Sequence, residues 1–194
     1  MPKVVDVEQR RSEITDAAAR LIARAGIEAV TMREVAAEAG WTTGVVTHYF
    51  ADKRELLLMT FQESLAHRRS LRPPDATTSP AARLRASLEG ALPMDDDRRR
   101  HWLVTLACCV QASGDEELAG VQEEAYREFR DHVAQLVEET GLARQDQARS
   151  SAERMIATVD GVAIQALFDP ASWPAARQVE LLDAMLAALP ESAS

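Results

Sequence analysis

The sequence predicts an all-α protein, and three observations predict it. Apolar residues recur three and four apart along nearly the whole chain, the period of a helix laid against a core. No stretch rich in Val, Ile and Thr alternates between turn signals as a strand would. Helix start and stop signals divide the chain into nine segments: a three-helix head and six helices behind it. The 194 residues, 46% of them apolar, suffice for a sizeable core in one or two small domains.

The first helix runs from about Val7 to Ala25, with Ile14, Ala17, Ala18, Leu21 and Ala25 on its buried face and Gly26 at its end. Arg10 and Arg11, near its start, either touch a nucleic-acid backbone or belong to a solvated tail. Thr31 and Glu34 form a capping box for the second helix, whose stripe is Val35, Ala36 and Ala39. Gly40 suits a left-handed cap at its end. Thr42 can cap a short third helix that continues through Val46 to Phe50. Asp52 and Glu55 box a fourth, from Lys53 to about Leu71, carrying Leu57, Phe61 and Leu65. Residues 72–80, RPPDATTSP, break the pattern as a boundary loop. Ser79 followed by Pro80 opens the fifth helix, and Pro93 follows its end. Asp95, Asp96 and Asp97 suit the start of the sixth, which includes Trp102, Leu103, Leu106, Cys109 and Val110. Ser113 and Glu116 box the seventh, which reaches Gly141 with Tyr126, Phe129, Val133 and Leu136 along it. An eighth, about Asp146 to Phe168, is stopped by Asp169-Pro170, and the ninth runs from Pro174 to Leu189.

The second and third helices carry the chemistry. Val46 and Phe50 are four apart, so they share an inward face. Thr43, Gly44, Thr47 and His48 are left outside as a small, polar, uncharged surface suited to base edges and phosphates. Two helices joined at a glycine turn form the arrangement whose second helix enters a major groove. Gly44 costs roughly 1 kcal/mol against alanine in a helix; on the outward face it allows close backbone approach to DNA. Lys53 opposes the dipole of the helix it begins, an arrangement that a phosphate would reverse; the alternative is a solvated lysine. Trp41 reads as a core plug behind the turn rather than a reader.

Residues 31–56, TMREVAAEAGWTTGVVTHYFADKREL, resemble the DNA-binding domain of the TetR family of one-component bacterial regulators. The resemblance rests on Thr31, Val35, Ala36, Ala39, Gly40, Gly44, His48, Tyr49, Phe50, Lys53 and Leu56 at fixed spacing. It implies a nine-helix architecture in which residues 1–52 are the helix-turn-helix domain and residues 53–194 bind an effector and dimerise. Arg33 is thereby assigned to a base or phosphate, Thr43, Gly44 and Val45 to the groove, Thr47, His48 and Tyr49 to phosphates and the groove edge, and Lys53 to a phosphate. Thr42 stands with these at the helix start. Thr47 and Trp41 depart from the family, which usually has an aromatic residue and a smaller aliphatic one there. The implied partners are a palindromic double-stranded DNA operator, a small-molecule effector and a second copy of the chain, most simply in a repressor.

Behind the head, MIATVDGVAIQALF from Met155 and LLDAMLAAL from Leu181 are nearly all small or apolar. Such helices need cover on more than one side, and we read that cover as a homodimer partner rather than monomer core. DGVAIQALFDP with RQVELLDAML resembles the BetI-type, betaine-pathway branch. Candidate effector-pocket residues are Phe61, Leu65, Leu88, Trp102, Leu106, Tyr126, Phe129, Met155 and Val159, each of which also fits plain core. Trp102, Tyr126 and Phe129 near a carboxylate such as Asp160 could hold a cationic amine; an uncharged hydrophobic effector fits as well.

The net charge of −9 is unevenly spread. Residues 1–72 hold 11 Lys and Arg against 10 Asp and Glu, a net of +1; residues 73–194 hold 11 against 21, a net of −10. The acidic part would be repelled by DNA, which argues against an architectural protein that binds by charge. Enzyme signatures are missing: there is no phosphate-cradling glycine loop and no nucleophile elbow. The alternative to a regulator is a helical enzyme or small-molecule sensor without DNA binding. His48, His67, His101 and His132 close no metal site by spacing, and the nearest cluster is His101 with Cys108 and Cys109. Neither a cofactor nor a metal is expected. The adjacent cysteines imply no disulfide framework; with no signal peptide or apolar span, a cytoplasmic location is expected.

Overall fold

The computed structural model describes residues 7–72, 79–141 and 145–188. Among them the regular structure is helical: α1 (Val7–Ala25), a 3-10 turn (Ile27–Ala29), α2 (Met32–Ala39), α3 (Thr43–Tyr49), α4 (Lys53–Ser70), α5 (Pro80–Gly90), α6 (Asp96–Ala112), α7 (Glu116–Thr140), α8 (Gln145–Phe168) and α9 (Ala175–Ala187). The loop expected at 72–80 falls mostly at residues 73–78, and the expected end of α9 at Leu189; both lie outside the described residues. The chain packs as two units, one of residues 1–67 and 100–121, the other of residues 68–99 and 122–194.

In the first unit α1 packs on α2. Its buried face is Ile14, Ala17, Ala18, Leu21 and Ile22. Ala25, expected on that face, is exposed as the final residue of α1 before Gly26, while Ile22 in the same turn is buried. Val30 and Val35 are fully buried beside them. Arg20 Nε and Arg24 Nη2 meet Glu38 at 3.1 and 2.7 Å, tying α1 to α2. The Arg24 and Arg20 hydrogen bonds hold the Glu38 carboxyl below its usual range. Thr31 Oγ1 accepts from Glu34 N–H at 3.1 Å, and Gly40 ends α2 at φ 73°. Gly40 N–H then reaches Ala37 O (3.2 Å) and Trp41 N–H reaches Ala36 O (2.8 Å), a Schellman closure that only a residue at ease with positive φ allows.

Seven residues are too few for a helix to stand alone, so α3 depends on its anchors. Val46 and Phe50 are buried as their spacing predicts, each burial worth about 1.5–3 kcal/mol. Arg11 secures the far end: Nη1 donates to Tyr49 O at 2.9 Å, Nη2 to Glu55 Oε1 at 3.2 Å, and the guanidinium lies 4.7 Å from the Phe50 ring centroid. Arg11 is thus a strut inside the head, not a tail residue. Asp52 Oδ1 caps α4 through Glu55 N–H at 2.8 Å, while Glu55 Oε2 accepts from Ala51 N–H at 2.6 Å. The Ala51 bond, then Arg11, holds the Glu55 carboxyl low.

Two caps differ from expectation. Thr42 occupies the N-cap of α3, but its side chain makes no capping bond. At α7 the cap is Asp115, whose Oδ1 accepts from Glu117 N–H (3.1 Å) and Leu118 N–H (3.2 Å), while Ser113 bonds back to Val110 O. The helix starts at Glu116, which puts Ser113 too far upstream to reach its first amides. Arg54 clamps Asp115 with two bonds of 2.8 and 2.9 Å. On α6 the buried residues are His101, Trp102, Val104, Thr105 and Cys108, and Val110 is 72% exposed.

The second unit has its core in Leu84, Leu88, Leu92, Phe129, Val133, Leu136, Met155, Ile156, Val159 and Leu182. Ser79 Oγ caps α5 through Ala82 N–H at 3.3 Å, with Pro80 in the first turn as read from the sequence. Arg99 donates to Ala166 O (3.0 Å) and Leu167 O (2.5 Å), supplying the donors that the last turn of α8 lacks.

Candidate nucleic-acid interface and effector cleft

In the first unit, burial of Val46 and Phe50 turns the opposite side of α3 outward. Thr43, Gly44, Thr47 and His48 are exposed there, with Thr42 before them, while Val45 and Tyr49 are half-buried at the edges. Thr47 Oγ1 donates back to Thr43 O at 3.1 Å, which leaves its lone pairs outward. His48 and Tyr49 rings meet edge to face at 5.1 Å. Arg33, with its side chain 83% exposed, pairs with Glu34 at 3.0 Å. Lys53 Nζ donates to Ile27 O at 3.3 Å, one of its three N–H donors.

Trp41 is not a core plug. It is half-buried and lines an open cleft of about 530 Å³ with Arg10, Thr42, Gly44, Val45, His48 and Tyr49. The Schellman closure sends the chain outward at Gly40, and Val30, Val35, Val46 and Phe50 already fill the space inside. The Arg10 guanidinium lies 4.2 Å from the Trp41 ring centroid and meets Glu13 at 2.7 Å. A large apolar residue directly after a helix-ending glycine was the available signal for this wall.

In the second unit Leu88, Phe129, Met155 and Val159 come together in the core, with Tyr126 packed against them. Phe61, Leu65 and Trp102 are buried in the first unit, where Leu106 is half-buried. Of these candidates Tyr126 lines a cleft, about 300 Å³ in volume, together with Arg130, Glu153, Ile156, Ala157 and Asp160. Tyr126 Oη donates to Asp160 Oδ2 at 2.8 Å across 34 residues of sequence. Burial pushes the Asp160 carboxyl up, against the Tyr126 hydrogen bond and the Arg68 charge, which pull it down. Arg72 already sits 5.1 Å from the Phe129 ring centroid. Arg130 and Glu153 carry no apolar signal in the sequence, and only the α7–α8 packing brings them to this cleft.

The histidine pattern also changes in three dimensions. His101 stacks on His67 with centroids 4.0 Å apart and meets Ser64 Oγ through Nδ1 at 3.1 Å, all within the first unit. Cys108 and Cys109 form no disulfide; burial pushes the Cys108 thiol up to about 12.

An N-terminal helix–glycine turn–helix with an outward polar second helix, ahead of a separate helical unit with its own cleft, defines a DNA-binding regulator of the one-component kind. Residues 14–59 match the family of bacterial regulatory proteins described as tetR, and residues 80–191 the C-terminal family of BetI-type transcriptional repressors. The chain is 33% identical over 174 residues to the regulator BetI of Burkholderia lata, covering 84% of each. It is 29% identical over 180 residues to the regulator PksA of Bacillus subtilis, covering 88% of this chain and 84% of that one. A transcriptional regulator from Saccharomonospora viridis, solved in complex with choline, shares the fold with a TM-score of 0.84 at 22% identity, covering 93% of this chain and 97% of that one. The chain belongs to the TetR family, with a BetI-type C-terminal region. It is a ligand-responsive, DNA-binding transcriptional regulator. No helix among the described residues is long and apolar enough to cross a membrane.

Proposed function

We propose that this regulator is a cytoplasmic homodimeric repressor, released from a palindromic operator by a small cationic effector. Residues 1–52 act as the DNA-binding head, and residues 53–194 bind effector and dimerise. Each head lays α3 in a major groove, with half-sites about one helical turn apart or a multiple of it. Thr43, Gly44 and Val45 face bases; Thr42, Thr47, His48, Tyr49, Arg33 and Lys53 serve the groove edge and phosphates. Dimerisation through α8 and α9 is supported by Phe168, 76% exposed, and Leu181, 37% exposed.

One observation carries the effector reading: a carboxylate held by a tyrosine hydroxyl in a cleft of about 300 Å³. Asp160 and Glu153 give the cleft two carboxylates against Arg130, and the Tyr126 ring offers a face to an ammonium group. The choline bound by the Saccharomonospora protein supports the same chemical class. Choline at 100 times its dissociation constant should stabilise the protein by about 2.7 kcal/mol. That gain, read as a thermal shift together with release of an operator duplex, should vanish in Asp160→Asn. An uncharged alkanol that matches choline in both readouts would replace the cationic reading with a hydrophobic one.

A further inference from the structure

We infer that Trp41 and Arg10 form a backbone clamp beside the recognition helix: the indole packs on a deoxyribose and holds the guanidinium against its phosphate. The inference rests on the DNA-reading role of α3 and adds two residues to it.

Trp41 lies at the N-terminal side of α3 and shares one cleft with Thr42, Gly44 and His48 of the groove-facing surface. A helix with its side chains is about 10–12 Å across, close to the width of a major groove at about 12 Å. Groups on α3 therefore fill the groove, and groups flanking it face the strand at its rim. The cleft of about 530 Å³ is mostly apolar, walled by Trp41, Val45 and Tyr49, with a cation at its edge. A deoxyribose ring followed by a phosphodiester has that character.

Arg10 is held ready for such a contact. Its side chain is 29% exposed, so it is packed rather than waving in solvent. The guanidinium lies 4.2 Å from the indole centroid, and Nη1 meets Glu13 at 2.7 Å. Glu13 thus engages one donor of the five that the guanidinium carries. An arginine already ordered on an aromatic plane loses little freedom when a phosphate arrives.

The test measures affinity against salt for the full-length protein on two probes: a duplex enriched by the wild type from a randomised library, and a duplex of random sequence. Arg10→Gln should flatten the salt slope by about 0.9 on both probes, so that its deficit shrinks about 3.5-fold between roughly 50 and 200 mM salt. Trp41→Ala should flatten it similarly, because an unsupported Arg10 collapses onto Glu13; Trp41→Phe should restore the slope. The double variant Arg10→Gln/Trp41→Ala should show no further flattening. Unchanged slopes in Arg10→Gln, or additive losses in the double variant, would overturn the clamp while leaving α3 as the reader. Failure of the wild type to enrich any duplex would overturn the clamp and the operator-reading role together.

Discussion

Gly44 offers a substitution in which stability and binding should move in opposite directions. A Cβ placed on Gly44 comes no nearer than 3.8 Å to another group, the Thr42 hydroxyl. That is ordinary contact, so the unbound protein has room for alanine. Glycine inside a helix costs about 0.5–1 kcal/mol relative to alanine. Gly44 is the second residue of α3, where less of that cost applies, so a gain of about 0.5 kcal/mol is expected. For a chain of this size it corresponds to a rise of about 1–2 °C in melting temperature. Against DNA the added methyl projects from the exposed face. Forcing a methyl group into a filled contact costs about 1–3 kcal/mol, or roughly 5- to 150-fold in affinity. Thermal denaturation and fluorescence anisotropy on a labelled operator duplex measure the two effects separately. A Gly44→Ala protein that is more stable and binds as tightly as the wild type would refute close backbone approach at this position.

Other substitutions test the remaining supports. Arg11→Met keeps the stem but removes the guanidinium from Tyr49 O and Glu55; urea denaturation should show a loss of about 1.5 kcal/mol, and no loss would mean the strut is idle. Burial raises the Asp160 carboxyl above its unfolded value, so its contribution to stability is fully present below the unfolded carboxylate range and is lost as pH rises through the folded value. Choline should bind the ionised form, so calorimetric affinity should climb with pH over the same interval in the wild type and stay flat in Asp160→Asn; affinity that falls with rising pH would contradict the site. With its thiol pushed up to about 12, Cys108 is thiolate to roughly one part in ten thousand at pH 8. Mass spectrometry after brief native iodoacetamide treatment should find Cys108 unmodified until denaturant is added, and rapid native labelling would show that its burial is transient.

Local physics explains how much of this protein was legible in advance. Helix period, caps and the glycine at 40 are properties of neighbours in sequence, and a rule such as the four-residue spacing of Val46 and Phe50 fixes which side of α3 faces water. The same rule faltered where partners decide. Ala25 has the right period for burial but is the last residue of α1, exposed beside Gly26, while Ile22 in the same turn is buried. Ser113 has the right chemistry for a cap but stands upstream of the first turn of α7, where Asp115 is better placed and is held by Arg54.

By itself, then, the sequence determined an all-helical chain with a short polar helix turned outward near its N-terminus, because period and capping act over a few residues. Tertiary structure alone decided that Trp41 is a wall of the outer cleft rather than a plug, that Arg11 braces α3 from within, and that Tyr126 reaches Asp160. These pairs are separated by tens of residues, and only the packing of one helix on another sets their distances.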